Sequence, residues 1–169
     1  MYYYTGIGSR KTPDNALKQM TILASNLELT GLTLRSGGAN GADSAFEAGV
    51  KDPHNAKIYL PWKGFNNNPS ALYDIHQHAY DMAKHFHPNW NACSQATRKF
   101  HARNCYQVLG LDLKTPSQFV LCWTPNAKVT GGTGQALRIA EHYSIPIFNL
   151  ADEHWESEFD HYITNWRLE

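Results

Sequence analysis

Short apolar runs alternate with amphipathic stretches along the chain, and the two periods predict strands and helices in turn. Residues 2–7 form a β-rich run closed by Gly6 and Gly8, a first strand. Thr12-Pro13-Asp14 reads as a helix start, with Thr as N-cap, Pro at the first helical position and an acid in the first turn. Leu17, Met20, Ala24 and Leu27 follow at helical spacing until Gly31. Residues 32–36 predict a second strand, 44–48 a short helix, and 57–60 a third strand closed by Pro61. A helix opening at Pro69 or Ser70 is expected to run to about residue 85, and another to span 94–109 before Gly110. Residues 117–123 are apolar without interruption, as in a strand covered on both faces. A loop over 124–134, a helix over 135–143, a strand over 145–149 and a helix over 153–166 complete the series.

This order predicts an α/β Rossmann-like domain covering residues 1–169. It has a mostly parallel sheet of about five strands, helices on both faces and a helical insertion at about 62–110. A length of 169 residues suits one domain better than two. Lys+Arg and Asp+Glu each number 15, which argues against a wholly electrostatic nucleic-acid binder but leaves room for a local basic patch. No apolar run is long enough for a membrane helix, and no leader pattern opens the chain. Cys93, Cys105 and Cys122 lack metal or disulfide spacing and read as free thiols, so a cytoplasmic location is expected.

Three glycine turns follow strands: Gly6-Ile7-Gly8-Ser9-Arg10, residues 36–43 (Ser-Gly-Gly-Ala-Asn-Gly-Ala-Asp), and Thr130-Gly131-Gly132-Thr133-Gly134. In an open α/β sheet such turns gather at the carboxyl ends of the strands, where ligands bind. Glycines let the main chain approach an anion, and the helix N-termini behind them offer unpaired N–H groups. A phosphate site is therefore expected at Gly6, Gly8, Gly37, Gly38, Ala39, Gly41, Gly131, Gly132 and Gly134. Hydroxyls of Ser9, Ser36, Thr130 and Thr133, and the guanidinium of Arg10, are expected to assist. Neither GxxxxGK[ST] nor GxGxxG is present, so P-loop ATPase and ordinary dinucleotide redox chemistry are not supported.

The first two turns together, with the third in its expected order, resemble the superfamily that joins the DprA/Smf DNA-processing proteins to the LOG phosphoribohydrolases. The small format resembles phage-borne members of this SLOG superfamily. The resemblance implies a nucleotide or nucleotide-derived ligand, including second messengers of the ADP-ribose type that a phage protein would sequester. Binding without turnover is the favoured reading, and two alternatives follow it: cleavage of a nucleotide N-glycosidic bond, and single-stranded DNA binding of the DprA kind. The phosphoribohydrolase motif PGGxGTxxE is altered here, with Thr130 for Pro, Gln135 for Thr and Arg138 in place of the catalytic Glu. The resemblance also implies self-association.

If the chain is an enzyme, Asp43 and Glu47, one turn apart on a helix, are the candidate carboxylates. In the helix over 94–109, Lys99 and Arg103 share a face, and Arg103 and Asn104 are candidates for reading a phosphate and a ribose or base edge. Trp123 and Tyr106 are candidates for stacking on a base. His76/His78 and His85/His87 are each two apart, a spacing that does not converge on a helix, and no metal and no cofactor is expected. Trp155, Phe159, Tyr162 and Trp166 form a helical packing stripe suited to the core or to an oligomer contact.

Overall fold

The computed structural model describes residues 1–166. Five strands form one parallel sheet in the order β3-β2-β1-β4-β5, with β1 at Tyr2–Gly8, β2 at Leu32–Ser36, β3 at Ala56–Ile58, β4 at Val120–Trp123 and β5 at Ile147–Asn149. Among the described residues five α-helices lie in the connections, α1 (Asp14–Leu29), α2 (Ala42–Gly49), α3 (Gln77–Phe86), α4 (Gln95–Leu109) and α5 (Gly131–His142), and α6 (Trp155–Trp166) follows β5. β1 is central and pairs in parallel with both β2 and β4. The connection reverses direction between these two pairings, which places the switch point of the sheet beside the end of β1. Among the described residues no helix is long and apolar enough to cross a membrane.

Strand alternation distributes side chains between two cores. Tyr4, Leu32, Leu34, Phe119 and Leu121 pack with α1, α2 and α6 through Met20, Ala24, Phe46, Trp155 and Phe159. Ile7, Val120 and Cys122 face the other way, onto Ala79 and Ala83 of α3, Ala102 and Val108 of α4, and Ala136 and Ile139 of α5. A parallel sheet is covered on both faces because its crossover helices return over it, which explains the uninterrupted apolar run of β4. The small residues of α3, α4 and α5 let these helices approach closely. The expected aromatic stripe of α6 is part of this packing: Phe148 and Phe119 lie 5.2 Å and 5.3 Å from Phe159 between ring centroids.

Several boundaries differ from expectation. Pro13, not Thr12, occupies the N-cap of α1, and the Thr12 hydroxyl instead donates to the Ser9 carbonyl at 2.6 Å. Strand β3 ends at Ile58: the Tyr59 N–H still bonds Ser36 O of β2 (2.9 Å), but the Leu60 N–H turns away to Leu72 O (2.8 Å). Pro69-Ser70 does not open a helix. The Ser70 hydroxyl donates to Ile58 O at 2.6 Å and the chain stays extended until α3 begins at Gln77. Helix α2 starts two residues earlier than expected, and α5 starts at Gly131, taking the third glycine cluster into its first turn. Ser94 caps α4 as the sequence predicts, its hydroxyl accepting from Thr97 N–H at 3.2 Å.

Helices α1 and α2 meet at Gly49, where an added Cβ would collide with the Thr21 carbonyl oxygen and come within 2.7 Å of the Ala24 Cβ. The Thr21 hydroxyl also donates to Ala45 O at 2.9 Å, so neither helix backbone is free to retreat. Gly49→Ala is expected to destabilise the fold by about 1–3 kcal/mol, as overpacking does. A lowered midpoint in urea with an unchanged slope would show it.

Candidate functional site

A cleft of about 840 Å³ opens at the carboxyl edge of the sheet, at the switch point between β1 and β4. Its floor is the end of β1 (Ile7, Gly8) and its walls are the first turn of α2, the middle of α4 and the first turn of α5. Arg10 and Lys11 stand on the exposed β1–α1 turn, and Arg103 and Arg138 line the helical side. Against these four cations the described lining contains one carboxylate, that of Asp43. A chain of zero formal charge therefore has a cationic cleft.

Asp43 is 4% exposed. Its carboxylate accepts from the Ala39 main-chain amide, with N at 3.3 Å from Oδ2, and the main-chain amides of Gly37 and Gly8 also favour its charged form. The two glycine turns at the ends of β1 and β2 thus spend their amides on a side chain of the protein itself. Burial pushes the Asp43 carboxyl up to about 6, while the Arg103 charge and the three amides pull it down. Arg103 is 5% exposed and donates to Gly37 O and to Tyr59 O (3.2 Å), while its Nε donates to Asn104 Oδ1 at 3.2 Å. Burial pushes its guanidinium down to about 10, so it stays charged at neutral pH.

The first turn of α5 is arranged differently. Its Gly131, Gly132 and Thr133 N–H groups precede the first intrahelical bond, Gly134 N–H to Thr130 O at 2.9 Å. Asn104 Nδ2 donates to Gly132 O at 2.9 Å, which ties this turn to α4. Behind it, Arg138 is anchored by donating to Phe86 O (3.1 Å) and to Gln135 Oε1 (2.7 Å). A Cβ at Gly132 would meet nothing within 4 Å, so this residue faces open space in the cleft.

The structure brings together Gly8, Ser9, Arg10, Ala39, Asp43, Arg103, Asn104, Thr130, Gly131, Gly132 and Thr133 around the cleft. Other expected site residues lie elsewhere. Gly6 is one step deeper in β1, where a Cβ would come within 2.7 Å of the Phe46 ring. The Ser36 hydroxyl is fully buried and donates to Gly6 O at 2.6 Å. Gly37 sits beneath the Arg103 guanidinium, Gly38 against Leu60, Gly41 against the Arg10 main chain and Gly134 against the Val129 main chain. Trp123 packs with the α1, α2 and α6 core, and its carbonyl accepts from Ser9 N–H at 3.0 Å. Glu47 accepts from Asn68 Nδ2 at 2.9 Å, outside the cleft lining. Tyr106 is buried, with its hydroxyl accepting from His76 N–H at 3.0 Å.

The aromatic ring in the cleft is Phe100, backed by Trp62 and Phe65 at centroid distances of 5.3 Å and 5.4 Å. Phe100, Lys11, His87, His101 and Arg138 are cleft residues that the sequence reading did not assign. All but Lys11 belong to the helical insertion or to α5 beyond its glycines, where only the three-dimensional crossing of helices places them. Lys99 is exposed and does not share the buried position of Arg103; it lines a separate cleft of about 400 Å³ with Lys84 and Arg98.

No protein-family model matches the chain, and no curated protein matches it by sequence. Among solved structures, the chain is similar to DNA processing protein A from Helicobacter pylori, described for its single-stranded DNA binding mode. That likeness has a TM-score of 0.54 at 20% identity, and covers 95% of this chain and 72% of the other. The two share a fold, a Rossmann-like α/β arrangement.

The raised carboxyl of Asp43 has a measurable consequence. Between about pH 4 and pH 6 the folded protein keeps a proton there that the unfolded chain has lost, so this group's contribution to stability is full below about pH 4 and lost as pH rises through 6. Relative to Asp43→Asn, the wild-type protein should lose about 2–4 kcal/mol of unfolding free energy between pH 4 and pH 7. Denaturant titrations of both proteins across that range check it, and parallel curves would refute it.

Proposed function

We propose that the cleft binds a nucleotide or nucleotide-derived small molecule, with its phosphate at the N-terminus of α5. The observation that carries this reading is the contrast between the two anion-binding turns. The amides behind β1 and β2 already hold Asp43, whereas the first-turn amides of α5 face a cleft rimmed by Arg10, Lys11 and Arg138. A phosphate there gains N–H donors, a helix dipole and charge-assisted bonds together. Phe100 offers a ring face for a base. Asp43, which lines the cleft, offers an acceptor for a sugar hydroxyl. A volume of about 840 Å³ falls within the range of small-molecule clefts, about 300–1,000 Å³. It has room for a ligand of the ADP-ribose type. The reading also places the chain in the DprA- and LOG-like superfamily that its glycine motifs resemble.

One observation favours a second reading. The similar Helicobacter pylori protein is described as binding single-stranded DNA, and the cationic cleft here suits a phosphate backbone as well as a single nucleotide. Length and salt separate the two. A small-molecule site takes a mononucleotide or ADP-ribose as well as an oligonucleotide and weakens modestly with salt. A strand-binding groove needs several nucleotides and loses affinity steeply between low and moderate salt.

Isothermal titration with adenosine monophosphate, ADP-ribose and an oligothymidylate tests both. Gly132→Leu is expected to abolish nucleotide binding with an unchanged far-ultraviolet spectrum, since the new side chain enters open space. Arg10→Ala is expected to weaken it roughly tenfold or more, the contribution of one charge-assisted bond. Gly38→Leu, by contrast, should unfold the domain, because Gly38 has φ of +68° and a Cβ there would lie 2.8 Å from Leu60. Full nucleotide affinity in both Gly132→Leu and Arg10→Ala would overturn the assignment.

A further inference from the structure

His87 and His101 line one wall of the cleft, and Cys93 lies beside them; the nucleotide reading uses none of the three. His87 is the C-cap of α3, Cys93 follows the short 3-10 turn Trp90–Ala92, and His101 lies in the second turn of α4. One donor atom from each lies within 4.8 Å of the other two. The Cys93 Sγ is 3.8 Å from both ring nitrogens of His87, and the rings of His87 and His101 stand 4.5 Å apart between centroids. His101 is 6% exposed, and its Nδ1 is buried with no hydrogen-bond partner among the described residues. A buried imidazole nitrogen left unpaired is costly, and native proteins rarely leave one without a ligand, water or ion to meet it.

We propose that His87, Cys93 and His101 form a binding site for a zinc-class divalent ion, with the fourth coordination position open to the cleft. Two imidazoles and one thiolate are a borderline-soft donor set that suits zinc or cobalt and not magnesium or calcium. Tetrahedral bonds of about 2.0–2.1 Å to nitrogen and about 2.3 Å to sulfur place neighbouring donors about 3.3–3.7 Å apart. The Cys93–His87 spacing is already close to this, and side-chain rotation closes the rest. Three protein ligands with a free position is the arrangement of an ion that meets a ligand, in contrast to the closed four-ligand frame of a purely structural one. His87 and His101 both line the cleft, so the free position faces it, where a water or an anionic oxygen completes the coordination.

Two local exchanges accompany binding. The Nδ1 of His87 accepts from Asn89 N–H at 3.1 Å, near the surface, and the ion takes over that lone pair. The Cys93 thiol donates to Asn89 O at 3.5 Å; its S–H bond breaks as the sulfur–metal bond forms, and the proton leaves to solvent. The resulting thiolate offsets the positive charge that Arg138 and Arg103 place beside His101. The site stands independently of whether the cleft takes a nucleotide.

The test uses the whole chain, stripped with a chelator and titrated with Co²⁺ and then Zn²⁺. One equivalent of Co²⁺ should produce the near-ultraviolet thiolate-to-cobalt charge-transfer band and the intense visible bands of tetrahedral cobalt, and Zn²⁺ should displace both. Cys93→Ser should abolish the charge-transfer band and weaken Zn²⁺ binding at least about tenfold, since even outer-shell partners of a metal contribute that much. His101→Gln should act likewise with an unchanged far-ultraviolet spectrum. If that buried substitution unfolds the protein, the half-buried Cys93→Ser decides alone. Absence of stoichiometric binding, binding without the thiolate band, or an affinity that survives Cys93→Ser would each overturn the site.

Discussion

A single buried carboxylate organises the edge of the sheet on which the cleft is built. Asp43 gathers the amides of Gly8, Gly37 and Ala39, which belong to the ends of two strands and the turn between β2 and α2. One negative charge thereby fixes where β1 and β2 stop and where α2 begins. Arg103, from the far side of the sheet, reaches across to the Gly37 carbonyl and adds the balancing charge. Burial costs both ions, and neither is neutralised at pH 7, because amides and the opposite charge recover part of what hydration supplied. Removing either partner leaves the other buried and uncompensated.

The consequence for binding is a division of labour between glycine turns that look equivalent. The turns behind β1 and β2 serve the framework, and their close helix–strand packing is what the absence of side chains at Gly6 and Gly8 permits: a Cβ at either would come within 2.7 Å of Phe46 or Ala42. The turn at α5 keeps its amides for a ligand. A formal charge of zero conceals this polarity, because the cations lining the cleft are balanced by carboxylates spread over the rest of the surface.

Much of the fold was legible in the sequence, and the reasons are local. Strands buried on both faces read as apolar runs, α4 carries its own Ser94 cap, and Gly31 and Gly110 mark helix ends with positive φ. The extended segment before α3 was not legible, because Ser70 and Leu72 are held by Ile58 and Leu60 through bonds that local propensity does not encode. The glycine motifs located the cleft but could not say which glycine faces it. Gly6 and Gly8 lie on the same side of β1 and both are closed to a side chain, by Phe46 and by Ala42, whereas Gly132 opens on the cleft. Phe100, His87 and His101 escaped because a helical or strand period relates residues within one element. These three come from a loop boundary and from a helix whose buried face bears His101, Arg103 and Asn104, a polar set that a sequence pattern assigns to solvent.

The three thiols sit in unequal surroundings. Cys105 and Cys122 are completely buried, and burial pushes each up to about 12, which leaves them almost wholly protonated and out of reach of electrophiles. Cys93 is half-buried beside His87 and His101, which line the cleft. The metal-free chain therefore carries one position suited to covalent attachment of a fluorophore or spin label, without removal of its other cysteines. A dye placed there would sit beside the helical wall and convert occupancy of the groove into an optical or magnetic signal.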